Sequence, residues 1–518
     1  MEPRLNGALA LLALLLIGLS VWRLEAQEAP LAVAPFTVDA TPAILYRPAE
    51  GAAGPPVLIA HGFAGSQQLM QPIAIALARA GFTAVTFDYL GHGRHPRPLT
   101  GDVTAEDGAG ARLQGQMEAV AAAAIARARA AGWDGERLAV LGHSMASDIV
   151  VRYAQAHANV AAVVAVSMFS PAVTADSPRN LLIVDGALET RLLEEGRRAI
   201  AKGAGLAPEA VEIERTYGSI EDGDARRLVA ADAVEHVGVL YSQETQRETI
   251  AWLDQVFDRT VNPREAAPVN RGLWIALLLL GTVLLARPLA SRLPALGGEP
   301  LGANLSWRQF LPAALAPAIA TPLILSVTPT DFLPVLVGDY MALHFGLYGL
   351  IAAAGLYWLR RRRTEPQPVR PIPSVTLLAV SIAAAAYAVA AIGLPADLYI
   401  FNFQPTALRG PLIAAMIVGA LIFYLADEWL TRGGDAPRGA YWITKLLFLL
   451  SLGLAVALDP SELFFLLILT PVIIPVFAIY GLFSRWAYLR TRHPIPGGVA
   501  AAVAVGWAIG AVFPVLGG

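Results

Sequence analysis

Ser144 and the backbone around it are the part of this sequence best suited to chemistry. The short apolar run Leu138-Ala139-Val140-Leu141 ends in Gly142-His143-Ser144-Met145-Ala146-Ser147, and a helical stretch follows. A buried strand that ends in Gly-x-Ser-x-small and passes directly into a helix is a nucleophile elbow. The turn is too tight for large flanking side chains, and it lifts the serine hydroxyl to the top of a sheet with the next N–H aimed back at a reacting carbonyl oxygen. Ser144 is the expected nucleophile and Met145 N–H an expected oxyanion donor. Ala146 stands where glycine is commoner. A second apolar run, Val57-Leu58-Ile59-Ala60, ends in His61-Gly62-Phe63 and leads through Ala64-Gly65-Ser66 into a helix. Phe63 N–H is the natural second oxyanion donor. His61 precedes the nucleophile and sits where a turn is shaped, so it reads as structural and not as the base. The chemistry implied is acyl transfer through a covalent serine intermediate.

Residues 30–265 supply the elements to position such a site. Strand-like runs fall at Val57–His61, Thr83–Asp88, Leu138–Gly142, Ala162–Ser167, Leu181–Val184 and Arg227–Ala231. They are mostly continuous apolar runs, as expected for parallel strands covered on both faces. Helical stretches lie between them at Gln67–Ala80, Ala111–Ala131, Met145–His157, Glu189–Lys202 and Gln243–Phe257. This alternation predicts a doubly wound α/β sheet.

On His61-Gly62-Phe63, Phe87-Asp88-Tyr89-Leu90-Gly91-His92-Gly93 and Gly142-His143-Ser144-Met145-Ala146, residues 30–265 resemble the α/β-hydrolase fold family. The resemblance implies a serine hydrolase whose triad runs Ser, then Asp or Glu, then His. The base should be a histidine just after the last strand, which is His236; His157 lies on the helix after the elbow. The family's Gly-x-x-Asp pattern beyond the penultimate strand lands on Glu189, so Glu189 is the first choice for the acid. Asp185, at the strand end, is its rival and Asp176 a third choice. The acid would hold the imidazole in one tautomer and stabilise the imidazolium. The connection from Ser167 to Asn180 is short where many members insert a lid. The site is therefore expected to be open, or covered by the Phe169-Ser170-Pro171 loop or by the rest of the chain. Gly91-His92-Gly93-Arg94-His95-Pro96 reads as a structural loop.

The remainder of the chain has another character. Hydrophobic residues make up 56% and charged residues 15% of the sequence, against roughly 25% charged in an ordinary soluble protein. Gly7 to Trp22 is one apolar run that reads as a membrane anchor, with a cleaved signal as the alternative. Eight further stretches of spanning length follow: Leu273–Leu289, Phe310–Val327, Leu336–Leu359, Val375–Leu394, Leu412–Leu430, Tyr441–Leu458, Leu463–Phe483 and Val499–Leu516. Alternate connections carry the arginines: Arg287, Arg292 and Arg308; Arg360 to Arg363 with Arg370; Arg432 and Arg438; Arg485, Arg490 and Arg492. The other short connections carry only Arg409. Placing the basic set inside predicts an extracytoplasmic hydrolase domain. Asp339, His344, Asp427, Glu428 and Lys445 lie in or near spans; those near span ends are expected to reach the interface.

The predicted organisation is an anchor or signal segment at 1–29, an α/β-hydrolase domain at 30–265 and an all-α membrane domain of about eight helices at 270–518. The predicted activity is hydrolysis of an ester or related acyl bond, with a small-molecule or lipid acyl substrate, the bilayer as surroundings, and no metal or organic cofactor. An envelope acyltransferase and a transport or sensing protein with a non-catalytic hydrolase-like domain are the alternatives. The net charge of -3 argues against nucleic acid as partner. The lack of cysteine excludes disulfides and thiolate sites.

Overall fold

The computed structural model describes residues 2–101, 108–259, 268–335, 337–362 and 373–517. Leu336, Arg363 and Arg370 of the sequence reading lie outside them. The chain divides into two compact units. One comprises Leu19–Ala276, Asp397–Asn402 and Pro514–Gly518; the other comprises Met1–Gly18, Leu277–Ala396 and Phe403–Phe513.

The first unit holds strands β1 (Leu31–Val38), β2 (Thr41–Pro48), β3 (Pro56–Ala60), β4 (Thr83–Phe87), β5 (Leu99–Thr100), β6 (Leu138–His143), β7 (Val160–Val166), β8 (Leu181–Gly186), β9 (Thr216–Tyr217) and β10 (Arg226–Ala231). Helices α2 (Gln71–Arg79), α3 (Ala109–Ala130), α4 (Met145–Ala156), α5 (Thr190–Ala204) and α6 (Gln243–Val256) alternate with them, and α1 (Glu2–Glu28) precedes them. The nine-stranded sheet runs β1-β2-β4-β3-β6-β7-β8-β10-β9. Its centre from β4 to β10 is parallel. Successive residues of β3 face opposite sides, as the pleat requires. Leu58 and Ala60 join the core under α3, α4 and α5 with Leu113, Ile149 and Ile200. Val57 and Ile59 join the core under α2 and α6 with Ile73 and Leu253. Both faces are covered, which is why these strands are apolar throughout.

The sheet has more strands than the sequence predicts. β1 and β2 form an antiparallel hairpin with Val38 opposite Thr41. Its two turn residues, Asp39 and Ala40, both have positive φ, 46° and 73°. That is the geometry of a type I′ turn, normally marked by Asn-Gly or Asp-Gly; Asp-Ala hides it.

The other described helices are α7 (Arg271–Ala290), α8 (Trp307–Leu325), α9 (Gly338–Arg361), α10 (Ser374–Tyr399), α11 (Gly410–Thr431), α12 (Ala440–Leu458), the short α13 (Pro460–Leu463), α14 (Phe465–Thr491) and α15 (Pro494–Val512). Among the described residues nine helices, α1 included, are long and apolar enough to cross a membrane. This all-helical region fits a multi-pass membrane protein. Two span limits shift. The seventh stretch after the anchor begins with α13 and continues to Thr491. The last helix ends at Val512, not Leu516, because Leu516–Gly517 is a strand, β11, paired in parallel with β5 inside the first unit.

Asp427, Glu428 and Lys445, expected from their places near span ends to reach the interface, are buried in the structure. Lys445 Nζ pairs with Asp427 and Arg432 pairs with Glu428. A charge in apolar surroundings is costly unless an opposite charge meets it, and α11 and α12 place these together. His344 packs against Ser451, 3.2 Å away. Asp339 opens α9 and accepts from Phe332 N–H and Tyr340 N–H.

Candidate active site

Ser144 stands between β6 and α4 with φ 54° and ψ −120°, a strained conformation for a residue with a side chain. The neighbours explain how it is tolerated. A Cβ on Gly142 would lie 2.4 Å from Ala146 O, so only glycine lets α4 start so close to the strand. Ala146 is fully buried. Ser147 N–H donates to Ser144 O at 2.8 Å, and Ser147 Oγ donates to the same carbonyl at 2.6 Å.

His236 lies in the loop after β10. Its Nε2 is 2.9 Å from Ser144 Oγ and its Nδ1 is 2.6 Å from Glu189 Oε1. The loop is pinned to the turn that carries Glu189. Ala187 N–H donates to Ala231 O and Leu188 N–H to Val234 O. Gly186 permits this approach, since a Cβ there would lie 2.5 Å from Val234 O.

Glu189 Oε2 accepts from Gly186 N–H and from Ser167 Oγ–H, each at 2.7 Å. Burial pushes this carboxyl up, but the bonds from His236, Gly186 and Ser167 outweigh it and hold the group below the ordinary glutamate value. Asp185, the rival acid, makes no contact with His236 among the described hydrogen bonds. Its Oδ1 accepts from Met168 N–H at 2.8 Å and its Oδ2 has no partner among the described residues. Burial, with Glu189 nearby, raises it to about 8, so Asp185 is a mostly neutral acid at pH 7. Asp176 is exposed.

The loop after β3 reaches Ser144. A Cβ on Gly62 would lie 2.9 Å from Ser144 Cβ, and Phe63 follows directly. His61 is turned away from this chemistry. Its Nδ1 lies 2.8 Å from Gly62 O, and its Nε2 accepts from Tyr89 N–H at 3.1 Å. Accepting at Nε2 makes Nδ1 the protonated nitrogen. Burial lowers His61 to about 4, so it is neutral.

Two residues of the site were not singled out in the sequence. Ser167 follows the end of β7 and donates to Glu189; its place one strand from the acid was the available signal. His143 is the variable residue of the elbow. Its Nε2 is 2.9 Å from His236 O, and burial, with His236 beside it, lowers it to about 3. A neutral His143 donates to that carbonyl and ties the His236 loop to β6.

Residues 167–180 join β7 to β8 without an intervening helix or strand. Ser147 Oγ fixes Phe169 N–H and Ser170 Oγ donates to Asp148, while the Phe169 ring is 59% exposed. Leu188, adjacent in sequence to Glu189, is 64% exposed and Val237, adjacent in sequence to His236, 36%.

Residues 55–196 match the family model described as alpha/beta hydrolase fold. No curated protein matches the chain. Among solved structures, an epoxide hydrolase from an endophytic Streptomyces is 26% identical over 28% of this chain and 39% of its own, with a TM-score of 0.22. An epoxide hydrolase from Vigna radiata is 19% identical over 28% and 40%, with a TM-score of 0.22. A membrane phospholipase A, a bacterial virulence factor, is 17% identical over 49% of this chain and 99% of its own, with a TM-score of 0.29. The chain spans about 40% of the length of the epoxide hydrolases it matches.

Proposed function

The chain carries an α/β-hydrolase fold, and on that premise we propose that it is a membrane-bound serine hydrolase cleaving an ester or related acyl bond on the extracytoplasmic side. The observation that carries this reading is the relay Ser144 Oγ, His236 Nε2, His236 Nδ1, Glu189 Oε1, with links of 2.9 and 2.6 Å. Such links are within proton-transfer reach.

Ser144 Oγ attacks the acyl carbon while its proton passes to His236 Nε2. The carbonyl π electrons move to oxygen, and the N–H groups of Phe63 and Met145 meet the oxyanion. Collapse breaks the bond to the leaving group, which takes the proton from His236, and leaves an acyl ester on Ser144. Water then attacks that ester with His236 as base, and the second collapse returns the proton to Ser144. Glu189, ionised by its hydrogen bonds, keeps Nδ1 protonated and stabilises the imidazolium in both halves. The exposed Phe169, Leu188 and Val237 favour an acyl portion with apolar character.

The side of the membrane rests on the connections. Those after α7, α9, α11 and α14 carry the arginines, and the alternate short connections carry only Arg409. Counting nine spans puts the end of α1, the start of α7, the end of α10 and the end of α15 on one side. The parts of the hydrolase unit, Leu19–Ala276, Asp397–Asn402 and Pro514–Gly518, occur at those ends of the chain.

Labelling with a fluorophosphonate in membranes tests the chemistry. The native chain should label, and Ser144→Ala and His236→Ala should not; a folded native chain that stays unlabelled refutes it. The absence of cysteine gives a clean test of sidedness. Asp222→Cys, at an exposed position, should react with a membrane-impermeant maleimide on intact cells. Reaction only after lysis would reverse the orientation.

A further inference from the structure

The segment Asp397–Asn402, at the end of α10, belongs to the hydrolase unit although about 120 residues separate it from the rest of that unit along the chain. Its contacts converge on the loops behind the nucleophile. Asn402 N–H donates to Ser66 Oγ at 3.2 Å, and Asn402 Nδ2 donates to Gly93 O at 3.1 Å. Asn402 Oδ1 accepts from Arg94 Nε at 3.3 Å, and Arg94 Nη2 reaches Asp397 Oδ2 at 2.9 Å. Gln68 and Gln71 donate to the carbonyls of Asp397 and Leu398. Asn402 and Ser66 are each 1% exposed, so these bonds form away from competing water and their loss is costly.

The loops held in this way carry the Phe63 N–H. Gly65 N–H donates to Gly62 O, closing the turn around Phe63. Asp88 accepts from Gln67 N–H at 2.8 Å and from Arg94 N–H at 2.9 Å. The run from Gly62 to Gln67 is therefore fixed at one end by β3. At the other it is fixed by a ring of bonds through Asp88, Arg94, Asn402 and Ser66. Asn402 suits its place because a carboxamide alone offers an acceptor to the guanidinium and a donor to the Gly93 carbonyl.

We propose that Asn402, supported by Asp397, is a positioning residue for the oxyanion-stabilising turn: it sets the distance between Phe63 N–H and the oxygen that becomes charged on attack by Ser144. The proposal rests on the serine-hydrolase reading above. Losing a group that acts only in the transition state lowers kcat and leaves KM alone. Losing a whole oxyanion donor costs about 10²- to 10³-fold, and a donor displaced but present should cost about tenfold.

The test compares native chain, Asn402→Ala and Asp397→Asn in membranes, with p-nitrophenyl butyrate as substrate and a trifluoromethyl ketone as oxyanion-forming inhibitor. In Asn402→Ala kcat should fall about tenfold, with KM within about twofold, and inhibitor affinity should fall by the same factor as kcat. Asp397→Asn keeps side-chain volume and guards against a folding failure; it should repeat the pattern at a few-fold. Asn402→Asp, which turns an oxygen on the Gly93 carbonyl, should not restore kcat. Native kcat in both Asn402→Ala and Asp397→Asn, or losses in which inhibitor affinity follows KM and not kcat, overturn the proposal. A native chain that the fluorophosphonate labels at Ser144, with variants labelled at the native rate, sinks this inference alone. A native chain left unlabelled sinks the hydrolase reading with it.

Discussion

Replacing Glu189 by Gln should abolish most of the activity through the tautomer of His236, and the structure says why the amide cannot escape this. Glu189 Oε2 faces two donors, Gly186 N–H and Ser167 Oγ–H, both at 2.7 Å. A glutamine NH2 placed there would oppose the fixed Gly186 N–H. The amide oxygen must take that position, which turns the NH2 toward His236 Nδ1, 2.6 Å from the present Oε1. Nδ1 then accepts, Nε2 carries the proton, and Nε2 can no longer take one from Ser144. The analogous carboxylate-to-amide change in a serine protease costs about 10⁴-fold in kcat, or about 5 kcal/mol of barrier, and the same order is expected here. Asp185→Asn is the control. Asp185 is mostly protonated at pH 7 and its Oδ2 has no partner among the described residues, so the amide removes little charge and kcat should stay within roughly threefold. Steady-state hydrolysis of p-nitrophenyl butyrate, normalised by titration of folded sites, decides between them. A 10⁴-fold loss in Asp185→Asn with a near-native Glu189→Gln would refute the assignment of the acid and the reasoning behind it.

Ser167→Ala removes one of the three bonds that keep Glu189 ionised. A hydrogen bond to a charged group is worth about 1.5–3 kcal/mol, so kcat should fall about tenfold or more, and an unchanged kcat would exclude the contribution. Gly62→Ala puts a methyl 2.9 Å from Ser144 Cβ and 3.0 Å from His143 O; the fluorophosphonate labelling rate should collapse, and normal labelling would mean the loop gives way freely. Phe169→Ser with Leu188→Ser removes exposed apolar surface beside the site; the rate for long-chain esters should fall more than that for acetate, and equal losses would separate this surface from substrate. Asp185 binds its proton more tightly folded, near 8, than its ordinary value of 3.8. Its contribution to stability is therefore complete below about pH 4 and is lost as pH rises through about 8. Asp185→Asn should flatten the decline of Tm between roughly pH 5 and 9, and a parallel decline would contradict the buried neutral acid.

The strand–turn–helix at Ser144 and the sheet centre were legible because their constraints are local. Gly142 and Ala146 are small where a Cβ would strike backbone, and β3, β6, β7 and β8 are apolar on both faces because helices cover both. The carboxylate that meets His236 was legible only as a choice. Glu189 and Asp185 lie four residues apart, and what separates them is whether the backbone offers donors: Gly186 N–H and Ser167 serve Glu189, while burial keeps Asp185 protonated. No property of either side chain announces that. The β1–β2 hairpin was missed because Asp39-Ala40 adopts a turn that glycine usually marks. β11 was read as the end of a span because Leu516 is as apolar as the helix before it.

The contacts from Asp397–Asn402 were invisible for a different reason. Asn402 sits between two spans, where a polar residue is ordinary, and its partners Ser66, Gly93 and Arg94 are some 300 residues away. Sequence pattern reports which face of an element is apolar, and it carries no term for a hydrogen bond across that separation. The bonds nevertheless lie on the loops around the turn that bears Phe63. If the serine chemistry is as proposed, the rate-determining geometry of the oxyanion is set partly by a connection between α10 and α11. The hydrolase sequence taken alone would then be an incomplete description of its own active site. A hydrolase domain cut out at residue 265 would keep Ser144, His236 and Glu189 but lose Asn402 and Asp397.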